Sequence, residues 1–186
     1  MRIRQRVARI FLRLIGWTYV DVTPRPPRAV LVVYPHTSNW DFPLGLLVRA
    51  ALGLNIRWAG KVTLFRGPLG TLMRWLGGIP VNRSAPAGFV ERMAAELRDG
   101  PAGLLAIAPE GTRSFTPGWK TGFHRIARAA GVPILAGTID YGHRRIGLLA
   151  TLEPGEDIDT DLATLAEYYR DCRGLRQERA APIRRR

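Results

Sequence analysis

Residues 29–53 read AVLVVYPHTSNWDFPLGLLVRAALG and join a strand pattern directly to a helix pattern. The apolar, β-branched run from Ala29 to Tyr34 predicts a buried strand. Asp41 to Leu52 is expected to be a helix, because apolar residues recur every three or four positions, a proline stands in the first turn and Gly53 supplies the stop. A strand followed at once by a helix is typical of α/β domains with largely parallel sheets.

The same alternation continues along the rest of the chain. Further strands are expected over 55–60, 79–81, 103–108, 132–140 and 145–152, and further helices over 70–76, 87–98, 123–130 and 162–172. We therefore predict a single α/β domain whose mixed, mostly parallel sheet is flanked by helices. In such sheets ligands bind at the carboxyl ends of the strands, so chemically informative residues are expected there.

Composition and charge narrow the class of protein. The 186 residues fit one domain, and 46% hydrophobic with 23% charged residues is an ordinary globular mix. The single cysteine, Cys172, excludes an intrachain disulfide framework, fits a reducing compartment and has no obvious base beside it, so we interpret it as structural. The formal net charge of +13 indicates an anionic partner: nucleic acid, phospholipid headgroups or a phosphorylated substrate.

The N-terminal segment, residues 2–17, is predicted to be a basic amphipathic helix. Apolar residues and arginines recur at helical spacing in two adjacent stripes: Ile3, Val7, Ile10, Leu14 and Trp17 in one, and Arg2, Arg6, Arg9 and Arg13 in the other. Such a helix can lie in the headgroup plane of an anionic membrane, and the alternative is a helix that packs on its own domain with a solvated basic face. The first twenty residues contain no acidic side chain, which favours the membrane. No apolar run reaches spanning length and no signal peptide is evident, so we expect a cytoplasmic protein, peripheral on the inner face of the cell membrane.

A histidine and an aspartate follow the first buried strand, five positions apart. His36 and Asp41 would point about 140° apart on a continuous helix, so they can meet only if His36 is in a loop and Asp41 opens the next helix. Ser38 and Asn39 are loop and cap residues, which supports that arrangement. A carboxylate on one imidazole nitrogen fixes the tautomer and raises the basicity of the other, and this produces a general base for a hydroxyl.

Further polar residues follow other predicted strands. After 103–108 come Glu110, Gly111, Thr112, Arg113 and Ser114, in which glycine permits a tight turn and the hydroxyls and arginine are suited to phosphate oxygens. Glu110 can instead accept hydrogen bonds from a polyol, and the alternative for the whole stretch is an ordinary turn with an exposed ion pair. Two more cations, Arg83 and Lys120, also stand at the end of a strand or before a helix. Cations and a base at several strand ends together indicate a site.

Four motifs occur in one order between Val30 and Ala136. They are His-x4-Asp at 36–41, Gly-Ile-Pro-Val-Asn-Arg at 78–83, Pro-Glu-Gly-Thr-Arg-Ser at 109–114 and Val-Pro-Ile at 132–134. In these motifs and their order the chain resembles the lysophospholipid (glycerolipid) acyltransferase family. Pro35 stands where many members of that family have asparagine. In this respect the chain resembles a divergent branch of small bacterial members.

The resemblance implies a function and a role for each motif residue. His36 would be the general base and Asp41 its orienter, with the acceptor bound by Arg83, Glu110, Gly111, Thr112, Arg113 and Lys120. The reaction implied is transfer of a fatty acyl group from an acyl-CoA or acyl carrier protein thioester to a hydroxyl of a lysophosphatidic acid-like acceptor, with no cofactor or metal. The chain would comprise a membrane-surface helix at 1–22, an acyltransferase catalytic domain at 23–174 and a basic tail at 175–186, and would be a monomer.

Three alternatives remain at this point. The acceptor can be something other than a glycerolipid. The chain can be a basic nucleic-acid-binding module, although its arginines concentrate at the termini and its central motifs carry acids that a phosphate groove would repel. It can also be a lipid-binding protein without catalysis, although His36, Asp41 and Glu110 are all intact.

Overall fold

The computed structural model describes residues 3–81, 88–101 and 103–186. Its centre is one seven-stranded sheet with the strand order β1-β7-β6-β2-β5-β3-β4. The strands are β1 (Thr18–Val20), β2 (Arg28–Val33), β3 (Ile56–Lys61), β4 (Gly78–Val81), β5 (Gly103–Ile107), β6 (Ile134–Asp140) and β7 (Arg145–Leu152). Among the strands of the described residues, β6 and β7 pair antiparallel and the other neighbours pair parallel. The prediction of a mixed, mostly parallel sheet is confirmed.

Helices cover both faces of this sheet. They are α1 (Ile3–Leu14), α2 (Asp41–Leu52), α3 (Gly67–Trp75), α4 (Phe89–Asp99), α5 (Gly122–Ala130) and α6 (Ile158–Tyr168), with short 3-10 helices at Val62–Phe65 and Gln177–Arg179. Side chains of the buried β2 strand alternate between two apolar clusters. Val30 and Val32 pack with α4, α5 and α6, whereas Ala29 and Leu31 pack with α1 and α2.

Local chemistry explains the few differences from the predicted elements. The last helix begins at Ile158, four residues before the predicted start, because the Asp157 carboxylate accepts the N–H groups of Asp159 and Thr160 and caps it. The N-terminal helix ends at Leu14 rather than at residue 17, since Gly16 adopts a left-handed φ of 77° and turns the chain. The short strand β1 follows, and sequence periodicity did not predict it.

The central strand β2 positions the site. It lies between β5 and β6, both parallel to it, so the chain segments after all three strands emerge at the same edge of the sheet. The C-terminal segment returns to this edge: Trp119 exchanges backbone hydrogen bonds with Arg184 and Arg186, and the Tyr34 hydroxyl donates to the Ala181 carbonyl. Within the described ranges, no helix combines the length and apolarity needed to cross a bilayer.

Candidate active site

The loop between β2 and α2 brings His36 and Asp41 together. Nδ1 of His36 lies 3.1 Å from Oδ2 of Asp41, although the angle falls outside aligned hydrogen-bond geometry. Such contacts are often poorly aligned before substrate binds. The histidine stands in the loop and the aspartate is the first residue of α2, as the sequence predicted. Because Nδ1 faces the carboxylate, Nε2 is the nitrogen that can exchange a proton with a substrate.

The Asp41 carboxylate is buried and fixed at both oxygens. Oδ2 accepts the Ser38 N–H at 3.0 Å, and Oδ1 accepts the Tyr141 hydroxyl at 2.9 Å. Burial and the Asp41 charge raise the pKa of Tyr141 above its ordinary value, so this phenol is a hydrogen-bond donor at neutral pH. Sequence reasoning missed Tyr141. It directly follows β6, and the strand-end argument that selected the other residues could have found it.

Glu110 lies behind the histidine loop. Its side chain is 1% exposed, its Oε2 accepts the His36 backbone N–H at 2.7 Å, and its Oε1 accepts the Ala181 N–H at 2.9 Å. Burial raises the pKa of Glu110, and the two N–H donors oppose that shift. Glu110 is not among the residues that line the cavity beside His36. Its assignment as substrate-binding stays a prediction, and the geometry favours a role in positioning the histidine loop.

The turn after Glu110 presents the next motif residues to the cavity. Gly111 has a φ of 69°, and a side chain at this position would press on the Lys120 side chain. Arg113 is tied to the histidine loop, since its Nε donates to the Ser38 carbonyl at 3.1 Å. Gly111, Thr112, Arg113 and Lys120 all line the same cavity as His36 and Asp41. These six predicted residues are therefore brought together, while Arg83 lies outside the described residues.

The cavity has a volume of about 960 Å³ and combines a polar end with an apolar body. Its lining includes Val48 and Leu52 of α2, residues of the sheet, and Phe89 and Phe123 of α4 and α5. Many of the strand side chains in the lining are apolar, among them Leu31, Val33, Ile56, Ala106, Ile139 and Leu148. A cavity of this size and lining fits a ligand with a long apolar part and a polar or charged end.

The other two histidines have structural partners. His124 is buried, and its Nε2 lies 2.8 Å from Oδ2 of Asp161, which also accepts the Gly155 N–H. His143 places Nδ1 2.8 Å from Oδ2 of Asp140. Neither histidine lines the cavity. Cys172 is buried, which raises the pKa of its thiol and fits the predicted structural role.

The site can therefore offer a proton acceptor to a hydroxyl, cations to an anionic group and an apolar volume to a chain. In the described part of the molecule, no group of three or more histidine, cysteine or acidic side chains is arranged to hold a metal ion. A protein-family model described as acyltransferase matches residues 16–140, a range that contains His36, Asp41 and the Glu110–Ser114 turn. A comparison with curated proteins finds no match.

Proposed function

Because this chain belongs to the acyltransferase family, we propose that it moves a fatty acyl group from a thioester to the hydroxyl of a lysophospholipid-type acceptor. The observation that carries this proposal is the His36–Asp41 pair at the polar end of a cavity whose body is apolar. The thioester is that of acyl-CoA or acyl carrier protein. No resident cofactor enters the mechanism.

In the proposed mechanism, His36 acts as general base without an acyl-enzyme. Nε2 takes the proton of the acceptor hydroxyl while the oxygen attacks the thioester carbonyl. The tetrahedral adduct collapses with cleavage of the carbon–sulfur bond, and the imidazolium gives the same proton to the departing thiolate. Asp41 orients the ring and stabilises the imidazolium that forms between these steps.

Charge at the cavity rim supports an acceptor that carries a phosphate. Arg113 and Lys120 line the same cavity as His36, and the resemblance of residues 78–83 to a family motif adds Arg83. Arginine uses several N–H donors in a fixed fork, so Arg113 can hold Ser38 through Nε and still offer donors to a phosphate. Fixing the acceptor beside the base lowers the barrier by positioning.

The outward face of α1 supports a peripheral location at an anionic membrane surface. Its apolar stripe does not pack on the domain: Ile3 and Leu14 are 80% and 78% exposed, whereas Ala8 and Leu12 on the other side are buried against α2. Arg9 donates to the Ala51 carbonyl and attaches α1 to α2. An attached helix with its apolar stripe outward fits a helix lying in the headgroup plane.

The test is thioester consumption by purified protein, followed as free thiol, against a panel of lysophospholipids and neutral alcohols with products identified by mass. We expect phosphorylated lysolipids to be acylated, and we expect His36→Ala to lower turnover by about 100-fold or more while the circular dichroism spectrum is retained. Near-normal turnover in a folded His36→Ala protein would remove His36 from the mechanism. Acylation of neutral alcohols alone would instead select a different acceptor class.

A further inference from the structure

We propose that the 3-10 helix at Val62–Phe65 and helix α3 form a second membrane-docking surface, separate from α1, that takes an anionic lipid interface. This α3 surface consists of the side chains of Val62, Leu64, Leu69, Leu72 and Trp75, all of which are exposed. The proposal does not depend on the proposed reaction. It assigns a partner to a part of the fold that the mechanism does not use.

The orientation of α3 is the first observation. Its buried side is Gly70, where an added Cβ would collide with the backbone of Phe65. Leu69, Leu72 and Trp75 recur at a spacing of three and lie on the side away from Gly70. Leu72 is 47% and Trp75 79% exposed. A surface helix ordinarily turns its apolar stripe to the core, and α3 does the reverse.

The positive charge around the α3 surface indicates which partner binds there. The chain contains no acidic residue between Asp41 and Glu91. Lys61, Arg66 and Arg74 are exposed in and beside the two short helices. An apolar centre with a basic surround is complementary to lipid chains beneath anionic headgroups. A second copy of the chain would bring the same positive charge against it, and like charges oppose such a contact.

The position of the α3 surface agrees with a lipid occupant. Lys61, Thr63 and Leu64, from the end of β3 and from the 3-10 helix, also line the cavity that holds His36. One exposed side chain of the α3 surface, Leu64, therefore also lines the cavity. An amphiphile in the interface could pass from lipid to cavity along Leu64 with little exposure of its chain to water.

The first test measures the partition of the full-length protein onto sucrose-loaded vesicles of phosphatidylglycerol and phosphatidylcholine by sedimentation. We expect a double variant, Leu72→Ser with Trp75→Ser, to bind at least about tenfold more weakly than wild type. The reason is that two large apolar side chains are no longer transferred from water into the lipid interface. Leu175→Ser is the matched control, since Leu175 is 47% exposed like Leu72 but lies outside the α3 surface. Wild-type partition of the double variant would overturn the proposal.

A second measurement does not require a destabilising change. Brominated lipids quench tryptophans that enter the bilayer, so the difference between wild type and Trp75→Phe should show a quenched Trp75 component. If Trp75 is not quenched, the proposal is overturned. It is also overturned if the wild-type protein does not bind vesicles but forms a dimer that Leu72→Ser dissociates. His36→Ala should bind vesicles like wild type. A failure of the acyltransferase assay and a failure of vesicle docking are therefore distinguishable.

Discussion

Replacing Tyr141 with phenylalanine tests how far the site depends on the hydroxyl that supports the Asp41 carboxylate. The change removes only the hydroxyl that donates to Asp41 Oδ1 at 2.9 Å. The ring remains, and its edge-to-face contact with Trp17, at 5.1 Å between centroids, is preserved. Packing should therefore change little, and any effect should come from the lost hydroxyl, which interacts with Asp41 and with the Ser38 side chain.

The structure gives the size of the expected effect. Asp41 is 2% exposed, so water does not readily replace the lost donor. A hydrogen bond to a charged group contributes about 1.5–3 kcal/mol to stability. Its loss leaves the carboxylate with the contacts of Oδ2 to the Ser38 N–H and to the His36 ring. If that cost falls on the transition state, in which the imidazolium depends on an oriented Asp41, turnover falls by roughly tenfold to hundredfold.

The assay is steady-state thioester consumption with the thermal unfolding midpoint measured alongside. We expect kcat to fall while the KM for the thioester changes little, because Tyr141 is placed to orient Asp41 and not to bind the donor. Tyr168→Phe is the matched control, since Tyr168 packs on the opposite face of the sheet with α6. A folded Tyr141→Phe protein with wild-type kcat would refute the reasoning.

Three further changes test other contacts of the fold. Glu110→Gln replaces one carboxylate oxygen by an N–H donor that faces the backbone N–H of His36 or Ala181. We therefore expect the free energy of unfolding to fall by about 1–3 kcal/mol and kcat to fall as well. Unchanged values of both would contradict the positioning role of Glu110. Burial opposes ionisation of Asp140, but N–H donors from Arg173, His143 and Arg145 outweigh burial and lower the pKa of this carboxyl. The ionised carboxylate therefore stabilises the fold above the ordinary pKa of 3.8, and this contribution disappears as the pH falls through the lowered pKa. Asp140→Asn should therefore lower the unfolding midpoint at pH 7 and approach the wild-type midpoint only in strong acid, and a midpoint difference independent of pH would contradict this. Ile10→Ser with Leu14→Ser in α1 should weaken salt-sensitive vesicle binding by about tenfold, whereas equal binding at low salt would show that α1 does not enter the interface.

The fold and the central pair were predictable because both depend on local rules. Strand and helix periodicities are properties of adjacent residues, and they gave nearly all the described elements to within a few positions. The contact between His36 and Asp41 was also predictable, because the two residues are close in sequence. With His36 in a loop and Asp41 at the start of a helix, the two side chains have few other directions to take. The orientation of α1 was left open in the sequence, because periodicity shows that a stripe exists and not which way it faces.

The roles of Glu110 and Tyr141 depend on contacts between distant parts of the chain. Glu110 stands in what reads as a surface turn, and it is buried only because Ala181 returns 71 residues later to meet it. Tyr141 contacts Asp41 across 100 residues through the pairing of β6 with β2. No local pattern carries such information, because sheet order and the path of the terminal segment decide it.

These distant contacts share one physical consequence. The His36 loop is held from behind by Glu110 and Arg113, while Asp41 is held from the side by Tyr141. Each restraint comes from a residue just beyond the carboxyl end of β5 or β6, the two strands that flank β2. The position of His36 therefore does not depend on its own loop alone, since the parallel sheet fixes the neighbouring residues and they fix the loop.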